Sequence, residues 1–305
     1  MPDLFARLLY LIANAIARLP WPWLRALGDV IAWAWWRSGG RESRVALRNV
    51  ELAYPDLLSG QREALQREIL RTTARQTFET LRLWTRPHAD NLQLIRETQG
   101  VALLDAAIAS GKGVIVAAPH YGNWELLNQW LAAHTPLAIL YRPPDSALGE
   151  AFLRQVRADD ADRVTQLRAE AAGIRQLFKR LRGGGVVGIL PDQQPKRGDG
   201  EFAPFFGLPA YTMTLLPRLA DRSGATVLFA YCERIDDLAF ALRIEPAPEE
   251  IASGDTIVAT AALNAAVERI ARRAPEQYQW TYKRYTLRPS CNGRDNPYRD
   301  LEGRA

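Results

Sequence analysis

The sequence predicts an α/β fold, a mixed and mainly parallel sheet flanked by helices, preceded by a helical, membrane-associated N-terminal segment. Three observations carry this expectation. Short β-branched runs alternate with helix-length segments, and such alternation builds a sheet covered on both faces. The composition of the 305 residues, 48% hydrophobic and 24% charged, is that of a globular chain and excludes a disordered one. The first forty residues differ in kind, being apolar and rich in tryptophan, so the chain divides into an N-terminal segment at 1–40 and a larger domain at 41–305.

Taken in order, residues 4–36 form two apolar helical runs separated by Pro20-Trp21-Pro22, which should break or sharply bend a helix. Trp21, Trp23, Trp33, Trp35 and Trp36, with Arg7, Arg18, Arg25 and Arg37 between them, are residue types that settle at headgroup depth. The longest uncharged stretch there, Leu8 to Ala17, is shorter than the roughly 17 to 25 residues a bilayer-spanning helix needs. An interfacial anchor is expected, with helices that merely cover the core as the alternative. From Gln61 to about Arg86 the chain reads as a charged helix with Leu65, Ile69, Phe78 and Leu81 inward. Strands are expected at VIVAA (114–118), LAILYR (137–142), VVGIL (186–190) and TVLFAYC (226–232), and helices near 100–110, 124–133, 147–157, 169–182, 212–223 and 256–273. No internal repeat or linker interrupts this alternation.

The chemistry is expected at strand ends, where α/β sheets bind ligands. His120 follows the first strand, and Glu125 follows it after a turn that Gly122 and Asn123 permit, so its carboxylate can reach back to the imidazole. A carboxylate on one ring nitrogen fixes the tautomer and leaves the other nitrogen to take a proton from a hydroxyl. The plain alternative is an acidic residue favouring a helix N-terminus, with His120 bonded in a loop. Arg142 and the pair Asp192-Gln193 close two further strands. Arg142 would either meet an anionic oxygen with its fork of donors or tie to Asp192. The glycine-spaced run at 198–212, with Phe202, Phe205, Phe206 and Gly207, suits either a mobile loop lined for an apolar chain or core packing.

Other chemistries lack their sequence context. Gly-x-Ser-x-Gly does not occur, neither Cys232 nor Cys291 has an adjacent histidine, and His88, His120 and His134 are not at metal-ligand spacing. The expectation is catalysis without cofactor or metal. A net charge of +5 and a pI near 9.3 point to an anionic partner, and the tryptophan-rich N-terminus favours membrane over nucleic acid. Arg269, Arg272, Arg273, Lys283 and Arg284 either extend a basic surface or form an ordinary solvated face.

Taken together, APHYGNWE (118–125), ILYRPP (139–144), LPDQQP (190–195), FAPFFGLPA (202–210) and APEQYQW (274–280) resemble the lipid A biosynthesis acyltransferases, within the glycerolipid acyltransferase superfamily. The resemblance runs through nearly the whole chain in order and includes RNVELAYPD at 48–56, similar to the family's Asn-Leu-x-x-x-Phe-Pro signature. It implies a glycerolipid acyltransferase-like fold at the cytoplasmic face of the inner membrane, moving a fatty acyl group from acyl carrier protein to a hydroxyl of a lipid A precursor. It places His120 and Glu125 in the His-x4-Asp/Glu catalytic motif, Arg142 in the second block, and Asp192 and Gln193 in the third. The sequence departs from the family at Tyr282, where many members have His, and at Asp145, where many have Asn. Rival readings are the same chemistry on a glycerophospholipid or amino-acid lipid, a non-catalytic membrane-bound scaffold of this fold, and a nucleic-acid binder.

Overall fold

The computed structural model describes residues 2–141, 146–156, 163–289 and 296–301. Five helices lead the chain: α1 (Pro2–Ala17), α2 (Trp21–Ser38), α3 (Arg41–Ala53), α4 (Ser59–Thr85) and the short α5 (His88–Leu92). Then follow β1 (Ile95–Gln99), α6 (Val101–Ala109), β2 (Val114–Ala117), α7 (Trp124–His134), β3 (Leu137–Tyr141), α8 (Ala147–Val156), β4 (Val164–Arg168), α9 (Ala171–Arg182) and β5 (Val186–Ile189). The chain continues through β6 (Gly200–Phe205), β7 (Leu208–Met213), α10 (Leu215–Ser223), β8 (Thr226–Asp236), β9 (Ala239–Pro246) and α11 (Thr256–Ala271). Seven strands form one sheet in the order β1-β9-β8-β2-β5-β3-β4. Strands β8, β2, β5, β3 and β4 run parallel, whereas β9 is antiparallel to β8 and parallel to β1. The sheet is thus mixed and mainly parallel, and its central β2 and β5 are buried along their whole length, as strands covered on both faces must be.

All four strands expected from apolar runs form. Strands β1 and β4, at the two edges of the sheet, escape that pattern because IRETQ and VTQLR are largely polar and exposed. The run at 200–213 corrects an expectation, since it is an antiparallel hairpin rather than a mobile loop. Phe206 and Gly207 turn it with φ of 50° and 74°, the left-handed pair that a two-residue hairpin needs. Packing holds Phe206 in this costly conformation. Its N–H donates to Glu268 Oε2, its ring lies edge-on to Tyr54, Phe205 and Trp280, and Arg272 sits 4.4 Å above it. Phe205 and Phe206 are therefore core residues, as the core-packing alternative held.

The N-terminal helices break where Pro20 sits, at the N-cap of α2, and Pro22 is tolerated in the first turn because no intrahelical donor is missed there. Both helices are arranged with small residues inward. Ala6, Ala13, Ala17, Gly28 and Ala32 are buried, while Leu8, Leu11, Ile12, Trp23, Val30 and Trp33 are exposed, Trp23 by 68% and Trp33 by 61%. They dock on α4 through a two-pronged ion pair from Arg75 to Asp29, at 2.7 and 2.8 Å, and Arg82 caps α1 by donating to the carbonyls of Ala17 and Leu19. No helix among the described residues is long and apolar enough to cross a membrane.

Behind the sheet's end, the Glu233 carboxylate gathers Tyr121, Arg243 and Arg273. Burial alone would raise its pKa, but hydrogen bonds from Arg273, Tyr121 and Arg243 outweigh burial and hold it at about 2, from an ordinary 4.5. A depressed carboxyl contributes stability that is complete above the unfolded value and lost as pH falls through the folded one. The stability gap between wild type and Glu233→Gln should therefore be full above pH 4.5 and shrink as pH falls toward 2. Urea unfolding of both proteins across that range reads it directly, and a gap independent of pH would contradict the pairing.

Candidate active site

Pairing in register brings the two central strand ends together. Ala117 of β2 lies opposite Ile189 of β5, and the Ala118 N–H donates to the Ile189 carbonyl at 2.9 Å. Three residues beyond each partner stand His120 and Asp192, after Pro119 and Pro191. Asp192 Oδ1 accepts from His120 Nδ1 at 2.8 Å, and its Oδ2 accepts from the His120 backbone N–H at 2.9 Å. Asp192 is only 4% exposed. Burial by itself would raise its pKa, yet the charge of His120 and the two hydrogen bonds from that residue outweigh burial and hold the carboxyl below its usual range.

An ionised Asp192 can only accept, so Nδ1 carries a proton, and whenever the ring is uncharged Nε2 presents a lone pair. The amide of Gln193 faces that lone pair, with Nε2 to Nε2 at 3.2 Å, and also donates to Gln279 Oε1 at 3.1 Å. The orientation of the Gln193 amide follows from the tautomer that Asp192 sets. Nearby, burial and then the charge of Asp192 push the Tyr278 phenol well above its ordinary value, so it stays protonated.

The carboxylate on Nδ1 is thus Asp192, whereas the sequence spacing pointed to Glu125. The turn through Gly122 and Asn123 starts α7 instead, and Glu125 lies in its first turn with its carboxylate accepting from Trp84 Nε1 at 3.2 Å. The backbone amides of Gly122 and Asn123 are engaged within the framework. The Gly122 N–H donates to the Gln277 carbonyl and the Asn123 N–H to the Cys232 carbonyl. The Asn123 side chain caps α7 at Leu126 and donates to Glu79 Oε2. Glu79 in turn holds Arg234 by two bonds of 2.7 and 2.5 Å.

The His120 loop is held from the other side by the C-terminal segment. The Gln279 N–H donates to the His120 carbonyl, and Tyr121 bridges Tyr278. Tyr282 receives the Gln194 N–H on its hydroxyl at 3.0 Å, so this departure from the family pattern fixes the backbone after Gln193. Asn49 donates to the carbonyls of Trp280 and Tyr282. Arg142 and Asp145 lie outside the described residues.

A cavity of about 500 Å³ opens on His120, lined by Leu140, Ile174, Ile189, Leu190, Met213 and Leu215 together with Gln193, Lys196 and Arg218. Phe205, Phe206 and Gly207 are not among its lining residues. Cys232 is buried, and burial pushes its thiol well up, which removes it as a thiolate nucleophile. Among the described residues no three His, Cys, Asp or Glu side chains gather as a metal site. The C-terminal basic residues serve the framework. Arg269 pairs with Glu245, Arg272 with Glu268 and Arg273 with Glu233, Lys283 lies over the Tyr298 ring, and buried Arg284 donates to the Tyr211 carbonyl.

A buried, oriented imidazole at the sheet's carboxyl edge, opening on a largely apolar cavity, is an arrangement for chemistry on a molecule with an apolar part. Comparison with known proteins gives that chemistry its class: the chain is an acyltransferase. It belongs to the bacterial lipid A biosynthesis acyltransferases, whose family model matches residues 1–286. Over 276 residues it is 28% identical to the lipid A biosynthesis palmitoleoyltransferase of Escherichia coli K12, covering 89% of this chain and 88% of that one. It is 26% identical to the lipid A biosynthesis lauroyltransferase of the same organism over 279 residues, 90% and 89% of the two chains. A phosphatidylinositol mannoside acyltransferase of Mycobacterium tuberculosis CDC 1551 / Oshkosh is 29% identical over 197 residues, 64% of this chain and 61% of that one.

Gly122 has φ of +60°, and a Cβ there would lie 2.0 Å from the Cys232 carbonyl oxygen. Gly207 has φ of +74° with nothing within 4 Å. Gly207→Ala should cost only the left-handed conformation, about 1–2 kcal/mol, and Gly122→Ala distinctly more, with loss of acyl transfer as the His120 loop shifts. Thermal melts and transfer rates on both variants check this, and equal destabilisation would refute the close-approach account.

Proposed function

We propose that the protein transfers a fatty acyl group from acyl carrier protein to a hydroxyl of a lipid A precursor, with His120 as general base and no covalent intermediate. The observation that carries this reading is the pairing of His120 Nδ1 with buried Asp192 at 2.8 Å, which leaves Nε2 as the ring nitrogen on the cavity side. The acceptor hydroxyl displaces the Gln193 amide from Nε2 and gives up its proton there as its oxygen attacks the thioester carbon. The tetrahedral oxyanion collapses, the carbon–sulfur bond breaks, and the imidazolium returns its proton to the leaving thiolate. Asp192 stabilises the imidazolium between these steps. The displaced Gln193 amide then offers a side-chain donor to the oxyanion, with Arg142 as a further cation supplied by the second motif. Glu125 completes the machinery as a second acidic group, held in place by Trp84.

The apolar side of the cavity suits the acyl chain, and Lys196 and Arg218 on its wall, with the net charge of +5, suit an acidic carrier. The large apolar side chains facing outward on α1 and α2 suit the cytoplasmic face of the inner membrane. The mannoside acyltransferase among the relatives favours one second reading, the same transfer to a different glycolipid hydroxyl.

Purified His120→Ala and Asp192→Asn proteins should each lose about a hundred- to ten-thousand-fold in kcat, and the double variant should lose no more than either alone, because base and orienting carboxylate act as one unit. Near-normal transfer by either single variant rejects the mechanism. The membrane reading has its own test, in which Trp23→Asp, Val30→Asp and Trp33→Asp are combined. These residues are exposed, so folding should change little, while the protein should pass from the membrane fraction to the soluble one. Continued sedimentation with membranes would move the anchor elsewhere.

A further inference from the structure

A cavity of about 410 Å³ lies between the C-terminal end of α2 and the facing turns of α3 and α4, and its wall contains Arg44 and Arg62. Neither guanidinium joins an ion pair among the described residues. Arg44 spends one nitrogen on the Gly39 carbonyl at 2.7 Å and Arg62 one on the Pro55 carbonyl, while the Nε of each is buried without a partner. Partly desolvated cations of this kind call for an anion. The two carboxylates of the wall are already engaged, since Arg48 holds Glu51 at 3.2 Å and Arg67 holds Glu63 at 2.6 Å.

Position decides which anion. Along α2 the exposed side chains of Trp23, Leu27, Val30 and Trp33 recur at helical spacing, and the next turn brings Trp36 into the cavity wall and Arg37 out to solvent. The outward apolar stripe thus ends at the cavity, in residue types that mark headgroup depth. We infer that the cavity binds the phosphate of an anionic glycerophospholipid of the bilayer, a site that rests on the membrane face proposed for α1 and α2 and not on the acyl-transfer chemistry. Arg44 and Arg62 are its cations. With Glu51 and Glu63 spent on other arginines, the wall keeps no free carboxylate for an ammonium, so a zwitterionic headgroup gains less there. Between Arg62 and Glu79, which holds the His120 loop through Asn123, α4 rises about 25 Å. The phosphate therefore belongs to a lipid beside the one being acylated, and the site orients the enzyme on the bilayer.

The test is sedimentation of the full-length protein with vesicles of phosphatidylcholine alone and of an equimolar mixture with phosphatidylglycerol. Wild type should prefer the mixture, and Arg44→Gln with Arg62→Gln should lose about tenfold of that preference while binding phosphatidylcholine as wild type does. Arg37→Gln with Arg41→Gln removes the same charge from exposed positions next to the cavity and should keep most of the preference. Equal losses in the two double variants reduce the effect to diffuse charge and overturn the site. Ser59→Glu guards against misfolding, because it sets a carboxylate in the wall at an exposed first-turn position of α4, where an acidic residue favours the helix. It too should lose the preference, and a wild-type preference in either variant rejects the cavity. Inorganic phosphate at matched ionic strength should not release the protein from the mixture; release makes this a free-phosphate site instead. In detergent without phospholipid, the acceptor KM of the Arg44→Gln, Arg62→Gln protein should equal that of wild type, and a rise would assign the cavity to a phosphate of the acceptor. Wild type that sediments equally with both vesicles overturns the site alone, and wild type that sediments with neither overturns the membrane face as well.

Discussion

A carboxylate that is 4% exposed needs donors placed for it, and Asp192 has two from a single residue, the ring and the backbone N–H of His120. Much of the architecture exists to make that meeting occur. Both partners sit three residues past paired strand ends, so the register of β2 on β5 sets their separation before any side chain is chosen. A slip of one residue would exchange the side chains that these strands send to the two covered faces and undo the packing on both. The fully buried strands thus lock the register, and the register locks the pair. Strand crossovers add to this, since β2 runs through α7 to β3 across β5 and leaves the central strand ends open to one cavity.

Helix α4 and the C-terminal segment do the rest from opposite sides. From α4, Glu79 reaches Asn123 and Arg234, tying the loop after His120 to β8. From the C-terminal side, Gln277, Gln279 and Tyr282 hold Gly122, His120 and Gln194. Asn49 lies far from the imidazole in sequence but acts on this segment, spanning the carbonyls of Trp280 and Tyr282 while Tyr298 donates to its side-chain oxygen. The run at 48–56 that resembles a family signature therefore works as framework, and the Tyr at 282 takes a backbone N–H that positions the third block.

The parallel part of the sheet was legible because its inner strands are continuous apolar runs. The hairpin at 200–213 was not, since its turn residue Phe206 reads as a poor hairpin former until Tyr54, Trp280 and Arg272 are packed around it. The site was half legible. His120 stands at a strand end, but local spacing points to Glu125 whereas the carboxylate on Nδ1 follows a different strand, β5. A signal for the correct partner lay in the sequence: VIVAAPH and VVGILPD align residue for residue, each ending in proline and then the polar group. Two parallel strands of equal length that end alike place those groups together whenever they pair in register. What no spacing revealed is that the amides near Gly122 are already spent on Gln277 and Cys232. That depends on segments more than a hundred residues away.

The inverted N-terminal helices follow from the same demand for close approach. Helix α2 lies with Gly28 against Arg75 and Ala32 also faces inward, with Leu24 as the one large apolar side chain buried among the residues of α2, so most of its bulky side chains point outward. Leaving large apolar side chains in water forfeits roughly 1.5–3 kcal/mol each relative to burial. A patch of that extent is normally a surface for another apolar phase. On the proposed reading, α4 then links two surfaces. One is the outward apolar face of the helices docked on Arg75, and the other is the His120 loop, which Glu79 one turn further along α4 holds through Asn123. A single helix 27 residues long fixes the distance between them. A lipid whose chains stay in the apolar phase could then offer its head group to His120 without leaving it, and the rigidity of α4 would set how far into the head group the reactive hydroxyl lies.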